Sequence, residues 1–173
     1  GNKSINNKVI KRMTNVINHR GPDHTGYIRF NHTNGNIKQE YDSSNLSDDN
    51  SLVSAAGFKR LSIRDKTDSG NQPMISQINN SFICFNGEIY NTDFLKNKLS
   101  HKSYNLRGFS DTELILEYFL EFGIEDLSSD IDGMYAIFLF DSVRNKMFLL
   151  RDRFGIKPLY YSNFNGNIII ASE

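Results

Sequence analysis

The sequence predicts an α+β sandwich. Strand-forming segments gather toward both ends of the chain, helical segments lie before and between them, and strand does not alternate with helix as in a parallel sheet. Residues 4–18 read as a helix, because Ile5, Val9, Met13 and Val16 recur at helical spacing and Ser4 is placed to cap it. Gly21 and Pro22 stop that helix. Residues 26–30 form a short strand. Residues 31–51 are rich in Asn, Ser and Asp and read as a surface excursion, a ragged hairpin. Strand character resumes at 52–58, and a loop at 65–71 is closed by Gln72, Pro73 and Met74.

Residues 81–85 form an apolar strand that ends in a turn at Asn86-Gly87. Residues 92–99 form a short helix with Phe94, Leu95 and Leu99 inward. The clearest helix spans 111–122: Ser110 and Glu113 make the S-x-x-E capping box, Leu114, Tyr118 and Phe122 share a face with Ile115 and Phe119 beside it, and Gly123 stops it. Strands at 134–140 and 147–150 follow, joined by the polar turn 141–146. Residues 158–161 and 168–171 flank Asn165-Gly166, a strong hairpin signal. No repeat and no linker divides the 173 residues, which read as one domain, 1–173.

Composition narrows the function classes. Lys plus Arg and Asp plus Glu both total 20, so net charge steers the chain toward neither nucleic acid nor an anionic membrane. At 38% hydrophobic and 12% aromatic it can build a core. The single cysteine, Cys84, can neither staple the fold nor build a zinc site, so no metal is expected, and such usage fits the cytoplasm. The opening residues carry no apolar signal stretch, and the longest apolar run, 134–140, is too short to span a bilayer.

Five segments in register carry a family resemblance: HRGPD at 19–23, RLSI at 60–63, NGEIYN at 86–91, SDTE at 110–113 and RDRFGIKPLYY at 151–161, with ASE at 171–173 as a weaker sixth. Together they resemble the class II glutamine amidotransferase domain of asparagine synthetases, from about residue 13 to the last residue. The resemblance implies a four-layer αββα sandwich of the N-terminal-nucleophile type. It implies hydrolysis of the glutamine side-chain amide, with the ammonia passed to an ATP-using synthetase domain that makes asparagine from aspartate. L-Glutamine and that C-terminal domain are the implied partners, and a homodimer is left open. No cofactor is implied for this domain; ATP and Mg belong to the synthetase domain.

In the family the mature protein opens on a cysteine whose thiolate attacks the amide, with its own α-amine as base. This sequence opens on Gly1 and has no S-G-G-x-D-type nucleotide loop. The expectation is a fragment without its first strand, its nucleophile and its synthetase domain, and inactive alone. The alternatives are a degenerate binding or interaction module, and the amidotransferase domain of a sister enzyme of antibiotic or surface-polysaccharide biosynthesis.

The resemblance assigns Asn86 and Gly87 to the oxyanion hole, where preorganised donors meet the charge of the tetrahedral intermediate. On its own Asn-Gly is simply a common turn pair. Arg60 would clamp the glutamine α-carboxylate with its planar fork, although a lone Arg after a strand is more often solvated. The following residues, Leu61, Ser62, Ile63 and Arg64, would line the same wall. Asp111 and Glu88 would hold the α-ammonium, while an acid at Asp111 also suits the first turn of a helix. Cys84 lies two residues before Asn86 but sits among Phe82, Ile83 and Phe85, so burial should keep its thiol inert. In HRGPD, Arg20 and Asp23 are expected to brace the turn. Phe154, Ile156 and Tyr160 would form an apolar wall toward the synthetase domain.

Overall fold

The computed structural model describes residues 6–40, 51–62, 68–100, 106–108 and 110–173. In chain order the elements are α1 (Asn7–Val16), β1 (His24–Phe30), β2 (Ile37–Glu40), β3 (Ser54–Arg60), β4 (Met74–Ile75), β5 (Phe82–Ile89), α2 (Thr92–Leu99), α3 (Asp111–Asp130), β6 (Gly133–Asp141), β7 (Lys146–Arg151), β8 (Tyr160–Phe164) and β9 (Asn167–Ala171). They make a sheet ordered β2-β1-β3, a second ordered β4-β5-β6-β7, and the hairpin β8-β9, all paired antiparallel.

The two larger sheets face each other. Phe30 of β1 meets Phe82 of β5 at 5.1 Å between ring centroids and Phe140 of β6 at 4.9 Å, and Ile28 joins this cluster. Burying one such ring is worth roughly 2–3 kcal/mol. Period-two alternation turns Ile83, Phe85, Ile137 and Leu139 to the other face of the second sheet, where they pack with Leu95, Leu114, Ile115 and Phe119 of α2 and α3. On the far side α1 lies on β3, and so closely that a Cβ at Gly57 would run into the Thr14 hydroxyl. The result is four layers, αββα. Among the described residues no helix is long and apolar enough to cross a membrane.

Several local expectations change. The cap of α1 is Asn6, whose side chain accepts from Lys8 N–H at 2.8 Å; Ser4 lies outside the described residues. The inward face of α1 is Ile10 and Thr14, while Val9 and Val16 are exposed, because close approach to Gly57 selects a small residue over the bulkier stripe. In α2, Leu95 and Leu99 are buried but Phe94 is exposed, with the Lys98 ammonium over its ring. The Ser110 hydroxyl does cap α3, accepting from Thr112 N–H at 3.2 Å. Glu113 does not complete the box; its carboxylate accepts from Arg107 N–H and Nε instead, both at 2.7 Å. The helical path breaks at Gly123 (φ 88°) as anticipated, yet a further turn resumes and reaches Asp130.

The largest difference is at Asn86-Gly87. The chain does not turn there. β5 runs on to Ile89, with Asn86 opposite Ala136 and Gly87 opposite Tyr135. The turn pair at Asn165-Gly166 behaves as expected, with both residues at positive φ (51° and 76°) closing the β8-β9 hairpin. Of the 31–51 excursion, β2 pairs with β1, and residues 41–50 lie outside the described residues.

Candidate functional site

The site is built around one edge of β5. The short strand β4 pairs there through Met74 with Ile83 and Ile75 with Phe82. That register, continued, would set Gln72 opposite Phe85. β4 begins only at Met74, so the backbone ladder does not reach Gln72. The Gln72 side chain takes over the pairing. Phe85 N–H donates to Gln72 Oε1 at 2.6 Å, and Gln72 Nε2 donates to the Phe85 carbonyl at 3.1 Å. The same Nε2 reaches Thr112 Oγ1, in the first turn of α3, at 3.3 Å. Gln72 is buried.

Successive residues of an antiparallel strand aim their backbone groups at opposite edges. Phe85 bonds at the edge away from β6. So does Ile89, whose N–H donates to Asp111 Oδ2 at 3.3 Å. Gly87 lies between them at the same parity, so its N–H faces that edge. Tyr135, opposite Gly87, agrees: its N–H donates to Asp152 Oδ2 and its carbonyl accepts from Asp152 N–H, both away from β5. Gly87 cannot carry a side chain, since a Cβ would run into the Met134 carbonyl oxygen and sit 2.8 Å from Tyr135 Cα. Asn86 and Glu88, half-buried, share the strand face of Phe82 and Cys84 that looks toward the first sheet.

Arg60 ends β3 and is buried. Its Nη1 donates to Asn71 Oδ1 at 2.8 Å, and its guanidinium lies so close to Gly70 that a Cβ there would collide with it. Asn71 is held in turn by Asp68, accepting from its Nδ2 at 3.1 Å. Across the ladder stands His24 of β1. Burial and then the Arg60 charge push its pKa below the usual imidazole value, with Asp68 opposing. Asp23 fixes the backbone beyond Arg60: its N–H donates to the Arg60 carbonyl at 3.1 Å, and its Oδ2 accepts from Ser62 N–H at 2.8 Å.

Segment 68–72 therefore ties the candidates together. Asn71 holds Arg60, and its neighbour Gln72 holds Phe85, next to Asn86, and Thr112, next to Asp111. Of the remaining expected wall, Leu61 is exposed, Ser62 contributes the N–H bound by Asp23, and Ile63 and Arg64 lie outside the described residues. Sequence reasoning assigned Asn71 and Gln72 only to a closing loop. The one available signal was a Gln followed by a Pro beside a strand, which is too common to stand out.

Residues 41–173 match the family model of the glutamine amidotransferase domain. The chain belongs to that family. It is 35% identical over 166 residues to asparagine synthetase [glutamine-hydrolyzing] 1 of Bacillus subtilis, covering 96% of this chain and 23% of the relative. It is 32% identical over 167 residues to asparagine synthetase B [glutamine-hydrolyzing] of Escherichia coli, covering 96% and 26%. Amidase chyE of Penicillium rubens is 30% identical over 164 residues, covering 95% and 21%. The chain thus spans about a quarter of the length of these curated relatives. The fold is that of the glutamine phosphoribosylpyrophosphate amidotransferase from B. subtilis, at a TM-score of 0.76, 19% identity, 99% of this chain and 40% of the other. The four layers are thus those of the N-terminal-nucleophile sandwich that the sequence led us to expect.

Within this amidotransferase domain Cys84 lies where a thiolate is disfavoured. Its side chain packs in the apolar layer between the sheets, and burial pushes the thiol up to about 12. A thiol reagent at pH 8 should therefore modify Cys84 roughly a thousandfold more slowly in the folded domain than in urea. Equal rates would place the thiol outside the apolar layer.

The longest motif of the amidotransferase domain, 151–161, is a self-bracing turn. Asp152 accepts N–H bonds from Tyr135, Phe154, Ile156 and Lys157 at 2.9–3.2 Å. Burial pulls its carboxyl up, but the backbone donors outweigh burial and hold it down at about 2. Arg151 reaches across to the carbonyls of Gly155 and Lys157. Phe154 (90% exposed), Ile156 and Tyr160 are displayed outward. A folded carboxyl below its unfolded value adds stability above the unfolded pKa and loses it as pH falls toward about 2. Asp152→Asn should thus lower the Tm at pH 7 more than Arg153→Ala does, and the deficit should shrink below pH 4. A pH-independent deficit would show that the charge of Asp152 is not what matters.

HRGPD bonds to two separate parts of the chain. Asp23 braces Arg60 as described, whereas Arg20 donates to the Ser172 carbonyl at 3.1 Å and His19 Nε2 lies 3.0 Å from Glu173 Oε1. Among the described residues no group of three or more His, Cys, Asp or Glu could hold a metal ion.

Proposed function

We propose that residues 1–173 belong to a glutaminase domain that binds L-glutamine against the outer edge of β5 and hydrolyses its side-chain amide with a thiol that these residues do not themselves supply. The observation that carries this reading is the meeting of three elements at that edge: the Gly87 N–H lies between the Gln72 clamp and the Asp111 carboxylate, with Arg60 tied to the same segment. A cationic fork, an anionic group and an amide donor suit the α-carboxylate, the α-ammonium and the developing oxyanion of a free amino acid. On this reading Arg60 takes the carboxylate, Asp111 and Glu88 the ammonium, and Asn86 with Gly87 the oxyanion, while the backbone of Leu61 and Ser62 adds to the wall.

A thiolate attacks the amide carbon and ammonia leaves; water then cleaves the thioester to glutamate. With Cys84 packed into the apolar layer, the attacking thiol on this reading is the one that the family carries at the start of the mature domain. In a longer protein resembling the asparagine synthetases the ammonia passes to a synthetase part, which uses ATP and Mg to make asparagine from aspartate in the cytoplasm. The acceptor is a property of that part, and relatives bearing both synthetase and amidase names fit such exchange. The test is glutamine-dependent ammonia release by the full-length natural protein. One ammonia per glutamate is expected, lost when Asn86 is changed to Ala. Absence of release, with folding intact, would leave the domain as a binding module.

A further inference from the structure

We propose that Gln72 is a positioning residue for catalysis, and this rests on the glutaminase reading above. Its carboxamide stands in for a backbone pair just beyond the start of β4, at the residue before Asn86. Three bonds leave this one buried side chain: two to the Phe85 peptide groups and one to Thr112, beside Asp111. The backbone neighbour of Gln72, Asn71, holds the Arg60 guanidinium. Parity along β5 makes the consequence specific. Phe85 and Gly87 present their N–H groups to the same edge, and the Phe85 carbonyl that Gln72 holds belongs to the peptide next to the one carrying the Gly87 N–H, so the clamp restrains how that N–H meets the edge.

Without the clamp, β4 has ended beyond Ile83 and β5 is held at Phe85 from the β6 side alone, which leaves its outer edge easier to tilt. A tilt costs little in the ground state and much where a donor must meet an oxyanion. Gln72 should therefore act chiefly on kcat, whereas Arg60, which would contact the ground-state carboxylate, should act chiefly on KM.

The experiment is steady-state glutamine hydrolysis by the full-length natural protein carrying Gln72→Met, Gln72→Glu or Arg60→Lys, with thermal melts of each. Met keeps length and loses every bond. Glu keeps the acceptor for Phe85 N–H and loses the donor to Phe85 and Thr112. Gln72→Met is expected to lower kcat on the order of 10²-fold with little change in KM. Gln72→Glu should lower kcat by less, and Arg60→Lys should mainly raise KM. Unchanged kcat in folded Gln72→Met overturns the inference. So does a kcat loss no greater than the KM change, which would mark a merely structural residue. Should Gln72→Met fail to fold, unchanged kcat in Gln72→Glu overturns it equally. A parent protein with no glutaminase activity instead overturns the underlying reading, and is told apart because it fails before any variant is compared.

Discussion

Arg60→Ala should weaken L-glutamine binding by about 3 kcal/mol, roughly a hundredfold or more in Kd. The size follows from the site. The guanidinium is buried, so its partner on the ligand would be desolvated on binding, and removing one side of such a pair leaves the other charge unmatched. Its geometry is also prepared in advance, by Asn71 Oδ1 at 2.8 Å and by the flat approach that Gly70 allows. Arg60→Lys keeps the charge but loses the fork, and should fall between, on the order of tenfold. Calorimetric titration with L-glutamine measures both, with L-asparagine as the shorter control. An unchanged Kd for folded Arg60→Ala would remove Arg60 from the site.

Gly87→Ala should destabilise the domain by about 3 kcal/mol. The added methyl has nowhere to go: it meets the Met134 carbonyl oxygen and Tyr135 Cα, which are backbone atoms of the paired strand and cannot rotate aside. Relief requires prying β5 from β6 at the centre of the second sheet. For a chain of this size that corresponds to a Tm lower by about 10 °C. Gly166→Ala is the contrast. A Cβ there meets nothing within 4 Å, so its cost is only that of a side chain at φ 76°, about 1 kcal/mol. Thermal melts of the two variants separate crowding from backbone strain. Equal melting temperatures would refute the steric account.

What the sequence revealed depended on how local the physics was. The break in α3 at Gly123 and the turn at Asn165-Gly166 are decided within a few residues and were readable, whereas the continuation of α3 to Asp130 was not. Asn86-Gly87 uses the same dipeptide for the opposite purpose. It stays extended because Ala136 and Tyr135, fifty residues away, pair with it, and no local propensity encodes that partner. The inward face of α1 was misjudged for the same reason: Thr14 is buried because Gly57 lies against it. The candidate ligand-facing residues were found through family motifs. Gln72, whose bonds reach 13 and 40 residues along the chain, was visible only once the strands were paired.

The β8-β9 hairpin has a practical consequence. Tyr160, Tyr161, Phe164, Ile168 and Ile169 all stand exposed on a two-stranded ribbon whose outer edges carry no further strand among the described residues. Apolar side chains beside unpaired backbone edges attract their own kind. At high concentration the purified domain should therefore show a negative second virial coefficient in static light scattering, and a lysine introduced at Ile168 should move it toward positive values.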